Sequence, residues 1–208
     1  MSTNPQRRYP LIGRSAQPTA AHERILTTVE ALLEQGEFHQ ATVEEIAKQA
    51  GVAKATIYQR FGSKLGLIEA LGSRLEQDAQ LGKVFRALAL PDAREALLTT
   101  VAEGVRFWCA HEALFRQLIG LAAVDPHAFA FVAHEDRQQE EHLRGLVGRL
   151  REQGHLRDDV SDEDAFAAVL MANSFQSVST LRARAGLEPE QVVAVLQSQV
   201  RSVLRESS

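Results

Sequence analysis

Twenty residues near the amino terminus constrain the fold of this chain more than any other feature. Residues 42–61, read TVEEIAKQAGVAKATIYQRF, place two short apolar stripes of helical spacing on either side of Gly51. Thr42 followed three residues later by Glu45 is typical of a capping box, which starts a helix. Gly51 stands where that helix ends in a left-handed residue, a conformation that glycine adopts at little cost. The pattern therefore predicts a helix-turn-helix.

The two stripes divide each short helix into a buried side and an exposed side. The inward positions are Val43, Ile46, Ala47, Ala50, Ile57 and Phe61. The outward side of the second helix carries donors, acceptors and small groups that suit phosphates and base edges. Its members are Lys54, Ala55, Thr56, Tyr58, Gln59 and Arg60. Spacing alone also fits an ordinary helical hairpin whose Lys54 and Arg60 are only solvated.

The stretch over residues 21–71 resembles the amino-terminal DNA-binding domain of TetR-family transcriptional regulators. Its most specific part is GVAKATIYQRFGSK, residues 51–64, whereas the rest of the chain resembles the family only in length and helical character. The resemblance implies a regulator whose third helix binds one half-site of an operator. Carried over by position, it assigns DNA contacts to Thr42, Ala53, Lys54, Ala55, Thr56, Tyr58, Gln59, Arg60 and Lys64.

Within that set the resemblance implies two kinds of contact. The residues expected to hold phosphates are Lys54, Tyr58 and Lys64. The residues expected to approach bases are Ala55, Thr56 and Gln59. Ala53 departs from the family pattern, in which serine or threonine is usual, and the missing hydroxyl should weaken the start of the helix by about 1 kcal/mol.

The remainder of the chain carries start and stop signals for further helices and no strand-like alternation. The helices of the body are predicted to begin near Pro91, His111, Pro126, Ser161 and Pro189, and the one from Ser161 to run to about Ala185. The predicted fold is all-α, with a helix-turn-helix three-helix head, a larger carboxy-terminal helical bundle and about nine helices. We predict a flexible basic arm over residues 1–18, a DNA-binding domain over 19–64, and a ligand-binding and dimerisation domain over 65–208.

The formal net charge of −4 is unevenly distributed. Residues 1–64 hold eight Lys and Arg against six Glu, so the acidic excess lies in the rest of the chain. A mildly basic head in front of an acidic body favours approach to DNA through the head.

The sequence lacks signatures of several other protein classes. No apolar run approaches the length of about 20 residues that spans a membrane, and the amino terminus has no basic segment followed by an apolar one. Cys109 is the single cysteine, and no Gly-rich phosphate loop, nucleophile elbow or zinc motif is present. We therefore expect a cytoplasmic protein that is not an enzyme and uses no cofactor or metal.

The body concentrates aromatic and apolar residues around a few polar ones. This composition is typical of a ligand pocket between helices, and also of an ordinary packed core. The family resemblance favours a pocket for a small, largely apolar or aromatic effector. The candidate lining residues are Phe107, Trp108, His111, Phe115, Leu118, Phe129, Phe166, Met171, Asn173 and Phe175. Gly66 and Gly72 are expected to let the fourth helix bend and so to link the effector to the head.

The last two helices carry more apolar surface than one buried face needs. We expect a symmetric homodimer on a palindromic double-stranded operator, with interface residues Phe175, Val178, Val192, Leu196 and Val200. The predicted function is a repressor that the effector releases from DNA. Two alternatives remain: a constitutive repressor without a ligand, and an α-helical ligand-binding or enzymatic protein whose small head binds another protein.

Overall fold

The computed structural model describes residues 19–206, which form eleven α-helices and one isolated β-bridge between Leu156 and Leu204. The predicted arm over residues 1–18 lies outside the described residues. None of the eleven helices is both long and apolar enough to span a bilayer. The helices are α1 (Ala20–Glu34), α2 (Val43–Ala50), α3 (Lys54–Phe61), α4 (Lys64–Glu76), α5 (Ala79–Leu88), α6 (Ala93–Ala110), α7 (Glu112–Ala122), α8 (Pro126–Glu152), α9 (Asp162–Ala172), α10 (Phe175–Ala185) and α11 (Pro189–Arg201).

The all-α prediction is confirmed, and two capped helix starts account for the larger number of helices. The helix α5 was not among the predicted elements. It begins at Asp78, whose side chain accepts a hydrogen bond from the backbone N–H of Gln80 at 2.7 Å. The helix predicted to begin at Ser161 is divided into α9 and α10. Ser174 starts the second of them, because its hydroxyl accepts a hydrogen bond from the backbone N–H of Ser177 at 3.2 Å.

The larger of two apolar cores, here called the body core, lies among α6, α8, α9 and α11. Its most deeply buried members include Leu97, Val101, Leu150, Val169, Val192 and Val200. The backbone N–H of Ala93 at the start of α6 donates to Oε1 of Gln153 beyond the end of α8, at 2.8 Å. This bond places the start of one helix beside the end of the other.

The smaller core, here called the head core, is not closed by α1, α2 and α3 alone. Its buried members are Ile25, Val29, Leu32, Leu33, Phe38, Ile46, Ala47, Ala50, Ile57, Leu67, Ile68, Leu71, Leu114 and Leu118. Leu114 and Leu118 belong to α7, about fifty residues beyond the helix-turn-helix. The division at residues 64 and 65 remains a prediction, and the packing adds that α4 and α7 complete the head.

Candidate DNA-binding face and ligand cavity

The turn between α2 and α3 has the geometry that the sequence predicts. The backbone N–H of Thr42 donates to Oε2 of Glu45 at 2.7 Å, and the backbone N–H of Glu45 donates to Oγ1 of Thr42 at 3.2 Å. The Thr42 hydroxyl also donates to Oε2 of Glu45 at 2.8 Å. The bond from the Thr42 backbone and then the bond from its hydroxyl hold the pKa of Glu45 below its ordinary value. Gly51 ends α2 with φ 63° and ψ 41°, in the left-handed region. Both predicted devices are therefore confirmed.

The outward side of α3, here called the recognition face, is defined by the burial of Ile57. That side chain is fully buried in the head core, so the positions around it turn away from the protein. The exposed residues are Ala53, Lys54, Ala55, Tyr58, Gln59 and Arg60, and Thr56 is half-buried. Ala53 forms no side-chain cap, as predicted from the missing hydroxyl.

The two lysines at the starts of α3 and α4 have different surroundings. Lys54 Nζ lies 3.3 Å from Oε2 of Glu44 in an exposed ion pair, which contributes little energy and is easily exchanged for a phosphate. Lys64 Nζ donates to the backbone oxygen of His39 at 3.0 Å and lies 4.6 Å from the centroid of the Phe38 ring. Partial burial lowers the pKa of Lys64. The single hydrogen bond leaves two of the three Lys64 N–H donors for other acceptors.

A second candidate site is a cavity of about 430 Å³ bounded by α4, α5, α6, α7 and α8. Aromatic rings form much of its wall: Phe85, Phe107, Trp108, Phe115 and Phe131. Two of them, Trp108 and Phe115, meet edge to face with centroids 4.7 Å apart. The polar lining residues are Thr100, Glu135, Asp136, Gln138, Gln139, His142 and Asn173.

The polar wall is organised around Asn173, which is buried where α9 ends. Its backbone oxygen accepts hydrogen bonds from Nε1 of Trp108 at 3.2 Å and from Nε2 of Gln139 at 3.0 Å. Thr100 is 2% exposed, and within the described residues its hydroxyl has no hydrogen-bond partner. On α8, partial burial and the neighbouring Glu140 carboxylate raise the pKa of Asp136.

Comparison with known proteins gives one match to the head and others to most of the chain. A family model described as bacterial regulatory proteins, tetR family, matches residues 25–71. The HTH-type transcriptional regulator EthR of Mycolicibacterium smegmatis is 26% identical over 200 residues, which cover 94% of this chain and 92% of that protein. The crystal structure of the TetR family regulator PfmR from Thermus thermophilus is similar with a TM-score of 0.65 at 24% identity, covering 88% of this chain and 100% of that one.

Residues 25–71 of this chain therefore match the tetR-family model, and over nearly its whole length the chain is similar to an HTH-type transcriptional regulator. The chain is a DNA-binding transcriptional regulator, and the helix-turn-helix lies inside the residues that the family model matches. A further regulator, YdeS of Bacillus subtilis, is 26% identical over 147 residues, 68% of this chain and 70% of that protein.

The ten predicted ligand-binding residues fall into two groups. Those that line the cavity are Phe107, Trp108, Phe115, Leu118 and Asn173. The other five do not. His111 and Phe175 stack behind the wall against Phe107 and Phe115 respectively, and Phe166 lies in the body core beneath Arg144. Phe129 and Met171 are 63% and 54% exposed. They are apolar residues at helical spacing, but they lie on the outer sides of their helices.

The predicted dimer-interface residues need a larger correction. Phe175, Val178, Val192, Leu196 and Val200 are all buried within one chain, none of them more than 7% exposed. Their stripes pack inside the protomer, four of them in the body core, so a partner chain would not reach them. An amphipathic pattern identifies a buried side without identifying what covers it.

Several cavity residues have no signal in the sequence that identifies them. Phe85 and Leu81 lie on α5, the helix that was not predicted, and Gly72 lies on α4. Asp136 and Gln139 lie within a polar run of α8 that is typical of a solvated helix face. The Asp78 cap could have revealed α5, but no local pattern indicates which helices surround a cavity.

Proposed function

We propose that this regulator is a repressor whose binding to a palindromic operator is released by a small molecule in the cavity. The observation that carries the proposal is that the cavity wall includes the helix that follows the recognition helix. A Cβ atom on Gly72 of α4 would lie 2.2 Å from Cζ of Phe131 of α8, so the α4 backbone rests directly on an aromatic ring of the cavity. A ligand that displaces this ring also displaces α4.

The start of α4 is packed just as closely against the recognition helix. A Cβ atom on Gly66 would lie 1.8 Å from the backbone oxygen of Phe61, the last residue of α3. Both glycines therefore allow close approach, and the bending of α4 at these positions stays a prediction. Close contact at Gly66, in the first turn of α4, and at Gly72, four residues before its end, supports movement of the head as a unit, since packed elements transmit displacement.

Release of DNA requires that the ligand favour a conformation whose two heads no longer match the operator. The coupling between two such sites is typically about 1 to 3 kcal/mol. Regulators of this family bind operators as dimers and respond to small molecules. In a dimer the two recognition faces would meet half-sites about 34 to 36 Å apart.

We assign the dimer contact to the outward sides of α10 and α11, since their inward sides are used within the protomer. Val195 of α11 is 44% exposed, and the small residues Ala183 and Ala194 are also exposed. Small and apolar residues on adjacent helices permit the close approach of a second pair. Val195→Glu should yield monomers in sedimentation at micromolar concentration, whereas Val124→Glu, the same change at an 80% exposed position between α7 and α8, should remain dimeric.

The function is tested by mobility shift with the DNA upstream of the chain's own gene. We expect a complex that specific unlabelled DNA competes away and that a shuffled sequence of equal length does not. Arg60→Ala on the recognition face should weaken the complex, and Arg137→Ala on the exposed side of α8 should leave it unchanged. A complex that the shuffled DNA displaces equally well would refute operator recognition.

A further inference from the structure

The cavity is elongated, and its two ends differ in chemistry. The start of α6 lies beside the end of α8, and the end of α6 lies beside Gln139, because Trp108 and Gln139 donate to the same backbone oxygen. Thr100 lies eight residues before Trp108 on α6, and Asp136 lies three residues before Gln139 on α8. At 1.5 Å per helical residue the backbone positions of Thr100 and Asp136 are about 16 Å apart along the helices.

The end of the cavity nearer the head is acidic. Glu135 and Asp136 both line it, one helical turn from the ring of Phe131. Among the described lining residues there is neither lysine nor arginine, and no ion pair with Asp136 is formed within residues 19–206. A cation is attracted by such carboxylates and by neighbouring ring faces, whereas an anion is repelled.

The opposite end contains an unsatisfied hydroxyl. Thr100 is 2% exposed and lines the cavity, and its hydroxyl oxygen is enclosed by protein without a hydrogen-bond partner in the described part of the chain. The Thr100 side chain must rotate for a ligand in the cavity to reach this oxygen. A buried polar group without a partner costs free energy, and a ligand that supplies the missing hydrogen bond recovers it. Between the two ends the wall combines the rings of Phe107, Trp108 and Phe115 with the polar residues Gln139 and Asn173.

We propose that the cavity binds an elongated organic cation, with its ammonium group against Glu135 and Asp136 and a hydrogen-bonding group at its far end on Thr100. This inference rests on the proposed effector site and names the chemical class that the site accepts. It adds a positive charge and a second polar end to the apolar ligand that the sequence predicts.

Charge selectivity is measured by titration calorimetry of the full chain, without DNA, with decylamine and decanoate below their micelle-forming concentrations. These probes share a chain length and differ in the sign of the charge. We expect decylamine to bind several-fold more tightly than decanoate, because the half-buried Glu135 and the exposed Asp136 attract a cation and repel an anion. Equal affinities, tighter binding of decanoate, or no binding of either probe would overturn the proposal.

A matched pair of variants tests whether the preference for decylamine over decanoate arises in the cavity. Glu135→Gln combined with Asp136→Asn should remove most of the preference for decylamine. Glu141→Gln changes an exposed carboxylate on the same helix outside the cavity and should keep it. Circular dichroism confirms that both variants retain the parent's helicity. If the double variant keeps the preference for decylamine, the cavity carboxylates do not select the ligand. The same conclusion follows if Glu141→Gln also removes that preference.

The hydrogen bond proposed for Thr100, at the far end of the cavity, is tested with 10-aminodecan-1-ol, which adds a hydroxyl to decylamine. We expect it to bind the parent several-fold more tightly than decylamine, and Thr100→Val to abolish the difference while leaving decylamine binding nearly unchanged. The valine side chain has the same shape, so loss of folding is not expected. Equal binding of the two amines by the parent would overturn the assignment of Thr100.

The experiments distinguish failure of the proposed control of DNA binding from failure of the proposed cation site. If decylamine binds as expected and the operator complex persists at saturation, the cavity takes a cation but does not control DNA binding. If the operator complex forms and the probes fail to bind, the proposed cation site is refuted and operator recognition is unaffected.

Discussion

The recognition face and the cavity differ in charge and in the distance along the chain over which each is built. The recognition face consists of neighbouring residues on one eight-residue helix, exposed and carrying Lys54 and Arg60. The cavity is concave, acidic at one end, and lined by residues from Gly72 to Asn173. A surface that meets a nucleic acid can be presented by one helix, whereas a site that encloses a small molecule needs several helices held in register.

The recognition face is built from neighbouring residues, but the head core that supports it is not. That core includes side chains of α7, a helix of the body. Leu114→Ala on α7 should destabilise the protein by about 2 to 5 kcal/mol, the usual cost of such a buried truncation. Hydrogen exchange should show the greater loss of protection in α1 and α2. Leu146→Ala in the body core is the matched variant and should affect α9 and α11 more. Equal loss of protection in both regions would mean that the two cores unfold as one.

The local nature of the recognition face is tested by substitutions that leave the cavity untouched. Gln59→Ala should alter the preference at one base pair by about 1 to 3 kcal/mol, since a side-chain contact to a base edge is removed. Tyr58→Ala should instead weaken binding to all sequences, because a phosphate contact carries no sequence information. Affinities for a set of single-base operator variants measure both effects. If neither variant differs from the parent, α3 is not the helix that reads DNA.

The contact between Gly72 and Phe131 is where the two regions meet. Gly72→Ala should push the Phe131 ring into the cavity, at a cost of about 1 kcal/mol, and should weaken binding of any cavity ligand. Gly145→Ala is the control, since nothing lies within 4 Å of its Cβ position and replacing a helical glycine stabilises by about 1 kcal/mol. Thermal unfolding and calorimetry measure the two effects. Unchanged ligand affinity in Gly72→Ala would show that the contact between Gly72 and Phe131 does not couple the cavity to the head.

The smallest expected effect concerns the start of the recognition helix. Ala53→Ser supplies the missing cap and should raise the free energy of unfolding by about 0.5 to 1 kcal/mol. Ala55→Ser, inside the helix, should not stabilise, because serine has a lower helix propensity than alanine. Urea denaturation measures the free energy of unfolding of both variants. A cap that strengthens DNA binding without changing stability would indicate a direct contact of the new hydroxyl with phosphate.

Features governed by neighbours in the chain were predictable from the sequence. The capping box at Thr42, the left-handed Gly51, the buried Ile57 and the uncapped Ala53 all depend on residues within a few positions of one another. The all-α class follows from the same local signals repeated along the chain. The resemblance to TetR-family regulators rests on this segment for the same reason, since its residues are close in sequence.

Only the tertiary structure decided which buried stripes face which partner. Val192, Leu196 and Val200 were predicted at an interface and lie in the body core, and Phe129 was predicted in a pocket and lies at the surface. Helical periodicity specifies that one side of a helix is covered but contains no information about the covering element. The assembly of the cavity, the sharing of α7 with the head core and the contact of Gly72 with Phe131 therefore depend on long-range packing.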